Sequence, residues 1–285
     1  MEEKNIKLPK EKLQKKRGII VIIMVSIAAS FFLFPLFWMA LTSIRPVTDL
    51  YKENPTFLPG AVTFDNYLYI FGQKDFGRYF LNSIVITICT VFLVLFSSIL
   101  GGYAFGMKKF KGQNALFYTI TLVLAIPYIM YLIPLYIIAF YLDLRNSWIG
   151  LIMPYVAINL PWGLLIMRGS FSTIPLDLRD AATIDGCGEF RFVFQILTPI
   201  LKPSIAATTI ITFIFAWEEF MFSSTINMQN FTLPVYFKYL LIATQGQEWG
   251  RVGAVITVTI IPVIILFIIF RKFFVKGLSK GMLKG

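Results

Sequence analysis

Charges along this chain are unevenly placed, and long stretches between them carry none. Gly18–Ile44, Tyr79–Met107, Asn114–Leu142 and Asn146–Met167 contain no Asp, Glu, Lys or Arg, and Val252–Phe270 is a fifth such run. The stretch from Pro203 is apolar until Glu218 and Glu219 interrupt it. A membrane-spanning helix needs roughly 20 apolar residues, so the pattern predicts six spans in an all-α polytopic membrane protein. The runs divide the chain into a basic arm at 1–17, a first span at 18–44 and an outer loop at 45–78. A core of five helices follows at 79–275, with an inner loop at 168–202, and then a tail at 276–285.

Composition agrees with that pattern. Hydrophobic residues make up 57% of the chain and charged residues 14%, against about 25% charged in soluble proteins. One soluble core of 285 residues cannot hide so much apolar surface. The Gly18–Ile44 run is longer than the apolar part of a signal peptide, and no small-residue cleavage site precedes Arg45, so a retained helix is expected. The net charge of +11 points to topology rather than nucleic acid. With six spans and the N-terminus inside, 19 of the 26 Lys and Arg residues fall on the inner side. That is the positive-inside asymmetry, and it puts both termini in the cytoplasm. The arm Lys4–Arg17 reads as a topology and lipid-headgroup anchor.

The outer loop carries Pro46, Pro55, Pro59 and Gly60, and Thr63 or Asp65 suits the cap of a short helix. Its aromatics, from Tyr51 to Phe80, read as an interfacial belt or, alternatively, a sugar-stacking surface. Pro127 and Pro134 fall in the third span, and Pro154 and Pro161 in the fourth. These residues either kink the helices for packing or break them beside a protein-lined pathway. Cys89 lies in a span and Cys187 in an inner loop, which argues against a disulfide. With no histidine and no cysteine cluster, a metal site is not expected.

The inner loop Arg168–Lys202 holds four charges of each sign. Ser172-Thr173-Ile174-Pro175 reads as a helix start, Gly186 as its stop, and a second helix is expected from near Glu189 toward Pro199. Within this loop, Asp180-Ala181-Ala182, Asp185-Gly186, Ile196 and Pro199 resemble the signature loop of ABC-importer permeases. That pattern is Glu-Ala-Ala, three residues, Gly, nine residues, Ile, any, Leu, Pro. The spacing matches throughout, while Asp180 stands for Glu and Thr198 for Leu. The resemblance implies a type I (MetI-like) permease fold and a coupling helix at Asp180, Ala181, Ala182, Asp185, Gly186, Ile196 and Pro199 that docks on an ATPase subunit.

The resemblance extends from about Pro35 to the C-terminus and is similar to the carbohydrate-uptake branch, specifically the second permease subunit of maltose-type importers. Thr42-Ser43, Asn66-Tyr67, Asn82-Ser83, Tyr103-Ala104, Ile133-Pro134-Leu135-Tyr136 and Trp217-Glu218-Glu219-Phe220 carry it. The last is commonly Trp-Asn-Glu-Phe in the family, so Glu218 departs. By the same resemblance, the tail residues Lys280, Lys284 and Gly285 are expected to reach the interface of the ATPase dimer. The implied assembly is a second permease, two ATPase copies, an extracytoplasmic binding protein and a carbohydrate, in a prokaryotic cell membrane. ATP and Mg would be bound by the ATPase, with no cofactor in this chain.

The absence of a Gly-Lys dipeptide excludes a Walker A loop, and the absence of histidine excludes a Ser-His-Asp triad. A transport subunit, not an enzyme, is therefore expected. Glu218 and Glu219 are an ionisable pair in an apolar segment, which makes a functional role the default. With Trp217 and Phe220 they are candidates for the substrate pathway or an outer gate. Interhelical bonding, or simply a helix end, is the competing reading. A self-sufficient secondary transporter, the alternative to an importer subunit, has only this acidic pair as an ion-coupling site.

Overall fold

The structure is a computed structural model that describes residues 10–52, 56–227, 229, 232–245 and 248–282. It is helical throughout, with no strand among the described residues. Among the described residues, four helices are long and apolar enough to cross a membrane: Gly18–Ser43, Asp75–Met107, Trp148–Phe171 and Trp249–Phe273. Two bent helix pairs bring the number to six if each is one span. The contacts divide the chain into one unit of Met1–Gly72 with Thr244–Val258, and a second of Gln73–Ala243 with Thr259–Gly285.

In the first unit, helix α1 (Lys10–Ser43) is exposed at every side chain from Gly18 to Phe37. An apolar face of that length is stable only against lipid or another protein. Beyond it a buried polar knot organises the outer loop. Arg45 donates to the Thr56 carbonyl at 2.9 Å and also to that of Phe57, and its guanidinium lies over the Trp38 ring. Asp49 accepts from the Gly60 N–H at 2.8 Å and from Lys52. Helix α2 (Asp65–Gly72) starts where Thr63 Oγ1 accepts the Asp65 N–H at 3.2 Å. Asn66 then donates to the carbonyls of Ser43 and Arg45, both at 3.0 Å, while Tyr67 Oη bonds Ser43 Oγ at 2.7 Å. Ser43 of the family-like pair Thr42-Ser43 thus meets both Asn66 and Tyr67 in one network.

In the second unit, α3 (Lys74–Met107) packs along α6 (Trp148–Phe171). Small residues allow the close approach. A Cβ on Gly102 would lie 2.5 Å from Met167 Cβ, and one on Gly106 2.7 Å from Phe171 Cβ. Ser147 caps α6 by accepting the Gly150 N–H at 3.1 Å. Pro154 and Pro161 lie inside α6 without interrupting it.

The third span is not one kinked helix. It consists of α4 (Gln113–Thr121), two 3-10 turns at Leu122–Ala125 and Tyr128–Tyr131, and α5 (Leu132–Tyr141), with a bend of 101°. Pro127 has no N–H to donate and pushes the preceding residue out of the helical region. Ile126 accordingly sits at φ −99°, ψ 127°. Pro134 falls in the first turn of α5, where its missing N–H is harmless.

Candidate functional site

The inner loop is built on a cluster of buried apolar side chains. Ile99, Tyr103 and Met107 of α3, Met167 and Phe171 of α6, and Phe192, Val193 and Leu197 form its floor. Helix α7 (Asp177–Ile184) rests on it through Ala182, with Leu178 packed alongside. The helix starts at Asp177, two residues after Pro175, and Asp177 and Asp180 in its first turn suit the positive end of the helix dipole. Its stop is a turn in which the Cys187 N–H bonds the Ala182 carbonyl at 2.9 Å and the Gly186 N–H bonds that of Thr183 at 3.0 Å. Gly186 has φ 73°, the left-handed conformation this closure requires. Cys187 packs back on the cluster beside Ala182, the apolar contact that accompanies such a stop.

The two alanines therefore do different work. Ala182 is buried and seats the helix, whereas Asp177, Asp180, Ala181 and Ile184 are exposed on its other side. Ile184 is 86% exposed, and Leu176 and Phe190 are exposed near it. Asp185 and Pro199 are exposed and Ile196 is half-buried against the cluster. The return segment restarts at Glu189 and passes through a π-helical stretch at Phe192–Leu197, where Thr198 Oγ1 donates to the Val193 carbonyl at 2.8 Å. It turns by 85° into α8 (Lys202–Glu218).

Helix α8 ends at an abrupt break. Glu219 leaves the helix at ψ 124°, and α9 (Met221–Ile226) starts just beyond it. The Glu219 carboxylate is 6% exposed and accepts the N–H groups of Phe222 at 2.8 Å and Ser223 at 3.1 Å, together with the Tyr155 hydroxyl at 2.6 Å. It caps α9 and ties it to α6, so both competing roles foreseen for it, helix end and interhelical bond, are filled. Trp217 is also a core residue here, 2% exposed, with its Nε1 donating to the Thr259 carbonyl at 3.2 Å and its ring stacked on Phe213.

Glu218, by contrast, is exposed, and together with Phe220 it lines a cavity of ≈ 600 Å³. Tyr128, Trp162 and Phe215 supply aromatic walls, and Asn159 and Glu219 add polar atoms. An adjoining hollow of ≈ 340 Å³ shares Tyr128, Ile158 and Trp162 and is lined by the broken backbone around Pro127. Trp162 is 47% exposed, and its ring is available in a way that the Trp217 ring is not. No linear motif singles out Tyr128, Asn159 or Trp162. The only sequence signal was the pair of prolines, Pro127 and Pro161, beside them.

Of the tail residues, Lys280 continues the backbone of α10 (Trp249–Met282), while Lys284 and Gly285 lie outside the described residues.

An all-helical membrane protein with broken spans around a cavity, and a short helix mounted outward on an inner loop, defines a transport subunit. The chain belongs to the family described as binding-protein-dependent transport system inner membrane component, which it matches over residues 96–282. It is 35% identical over 257 residues to the arabinooligosaccharides transport system permease protein AraQ of Halalkalibacterium halodurans, covering 88% of this chain and 91% of that one. It is 33% identical to the sulfoquinovosyl glycerol transport system permease protein SmoH of Agrobacterium fabrum, covering 89% of each. The fold matches a chain from the crystal structure of a bacterial ABC transporter involved in the import of the acidic polysaccharide alginate. The TM-score there is 0.77 at 23% identity, over 91% of this chain and 97% of that one. Membership makes this chain an inner-membrane transport component, not an enzyme.

Proposed function

We propose that this chain is one of two permease subunits of an ATP-driven importer and carries an oligosaccharide or related carbohydrate handed over by an extracytoplasmic binding protein. The observation that carries this reading is the mounting of α7. It is fixed to the core by Ala182 and closed by Gly186, and it presents Asp180, Ala181 and Ile184 outward. A rigid helix offering an exposed apolar residue beside a carboxylate suits a partner with a matching cleft, the charge setting register more than affinity. The charge asymmetry of the loops assigns this face to the cytoplasm. The partner there is a pair of ATPase subunits that bind ATP and Mg, with Asp185, Ile196 and Pro199 shaping the loop and Lys280, Lys284 and Gly285 reaching toward the ATPase dimer. The exposed face of α1 suits lipid and the second permease.

For the cargo, the cavity beside Glu218 and Phe220 combines aromatic walls with carboxylate and amide groups. That is the chemistry that holds a sugar, with ring faces against aromatics and hydroxyls on polar atoms. The names of the relatives point the same way. The test is reconstitution of this chain with its second permease, ATPase and binding protein. ATP-dependent uptake of a radiolabelled oligosaccharide supports the reading. Uptake by this chain alone without ATP refutes it.

A further inference from the structure

Glu189 takes no part in the signature spacing, yet its carboxylate gathers three donors from two other elements. Oε1 accepts from Arg179 of α7 at 2.9 Å and from Lys108, which follows the end of α3; Oε2 accepts from the Tyr103 hydroxyl of α3. Tyr103 is itself held edge-on by Phe171 and Phe192, with ring centroids 5.9 and 6.4 Å away, and the Lys108 ammonium lies 5.3 Å from the Tyr103 ring centroid. The bond from Tyr103 spans 86 positions of sequence. Glu189 also opens the return segment, where a carboxylate is favoured by the helix dipole.

We propose that Glu189 is a latch that locks the outward-facing helix α7 to the inner end of α3, so that a push received by α7 moves α3 as one body. The inference rests on the transport reading above and adds a positioning residue to it. The apolar contacts of α7 are few: Ala182 and Leu178 seat a helix of only 8 residues. Such a helix is marginal by itself and would rock on its seat when pushed. Charge-assisted hydrogen bonds are directional and roughly twice as strong as neutral ones. Three of them converging on one carboxylate resist that rocking from two sides. Arg179 is bonded at the lever, and Lys108 and Tyr103 are bonded at the span. Coupling between separated sites travels through contacts of this kind, with two elements held in one arrangement.

The experiment uses the complete complex in proteoliposomes, with radiolabelled arabinotriose, trehalose and an alginate trisaccharide as probes. Two quantities are read: probe accumulated per ATP hydrolysed, and amide exchange over 177–188. Glu189→Gln is expected to lower the first roughly fivefold or more, the lower end of coupling factors between sites, and to speed the second several-fold. Reversing all three charges, Lys108→Glu with Arg179→Glu and Glu189→Lys, is expected to restore at least half of each, which a residue that merely fills space would not allow. If that variant does not assemble, Lys108→Gln with Arg179→Gln is read instead, and it is expected to reproduce both losses of Glu189→Gln. Unchanged values in Glu189→Gln overturn the latch, and so does a loss that charge reversal does not repair. Failure of the wild-type complex to accumulate any probe counts against the carbohydrate reading instead, and the exchange measurement then decides the latch by itself.

Discussion

The neighbouring acids Glu218 and Glu219 carry the same chemistry and occupy opposite environments. Glu219 holds two backbone N–H groups and a tyrosine hydroxyl inside the protein. Leaving such buried donors unpaired costs about 1–3 kcal/mol each. Glu219→Ala is therefore expected to lower the thermal unfolding midpoint and the yield of folded protein, measured in detergent. Glu218→Ala should leave both unchanged and instead raise the KM for uptake. Loss of folded protein in the second variant and not the first would reverse these assignments. A different carboxylate responds to pH. The pKa of Glu189 is held down to about 2 by hydrogen bonds from Lys108 and then Tyr103, against an ordinary value of 4.5. A group whose folded pKa is depressed contributes stability above its ordinary value. The contribution of Glu189, facing Lys108, Arg179 and Tyr103, is therefore present at neutral pH and lost as pH falls from 4.5 toward about 2. The unfolding midpoint should drop more steeply over that window in the wild type than in Glu189→Gln.

Two elements depend on glycine for opposite reasons. At Gly186 the backbone must turn left-handed, with φ 73° and nothing near the position of a Cβ. A side chain there meets strain rather than a neighbour, and Gly186→Ala should cost about 1 kcal/mol. The expected result is faster amide exchange at the end of α7 and less substrate moved per ATP, with membrane insertion intact. At Gly102 the backbone is an ordinary helix and the obstacle is Met167 of α6. Gly102→Leu must push α3 and α6 apart, an overpacking cost of about 1–3 kcal/mol. It should lower the unfolding midpoint, and exchange measurements should place the damage along α3 and α6. The helices themselves follow from elementary rules: uncharged runs form spans, Ser147 starts α6, and Gly186 stops α7. The breaks follow less simply. Four prolines fall in the third and fourth spans, yet only Pro127 interrupts a helix. The break at Glu219 has no proline or glycine and is held by a side chain that reaches forward to cap the next helix.

For the whole molecule, the inside–outside distribution of Lys and Arg makes a prediction of its own. A cysteine placed at Ile184, in a Cys187→Ala background, should react with a membrane-impermeant thiol reagent only from the cytoplasmic side of oriented vesicles. Labelling from the outside would invert the topology. The class of protein and the runs that become its long apolar helices were legible in the sequence, because each depends on local composition or short spacing. An uncharged run of about 20 residues has few options other than a membrane, and a glycine separated from an isoleucine by nine residues keeps that spacing in any fold. The partnerships were not legible. Tyr103 finds Glu189 across 86 positions, Asn66 finds Ser43, and Glu219 finds Tyr155. These pairings exist only once helices have packed. Local sequence therefore specifies that ionisable and aromatic groups are present, while tertiary structure decides which are bonded inside the protein, as Trp217 and Glu219 are, and which stay exposed along the cavity, as Trp162 and Glu218 do.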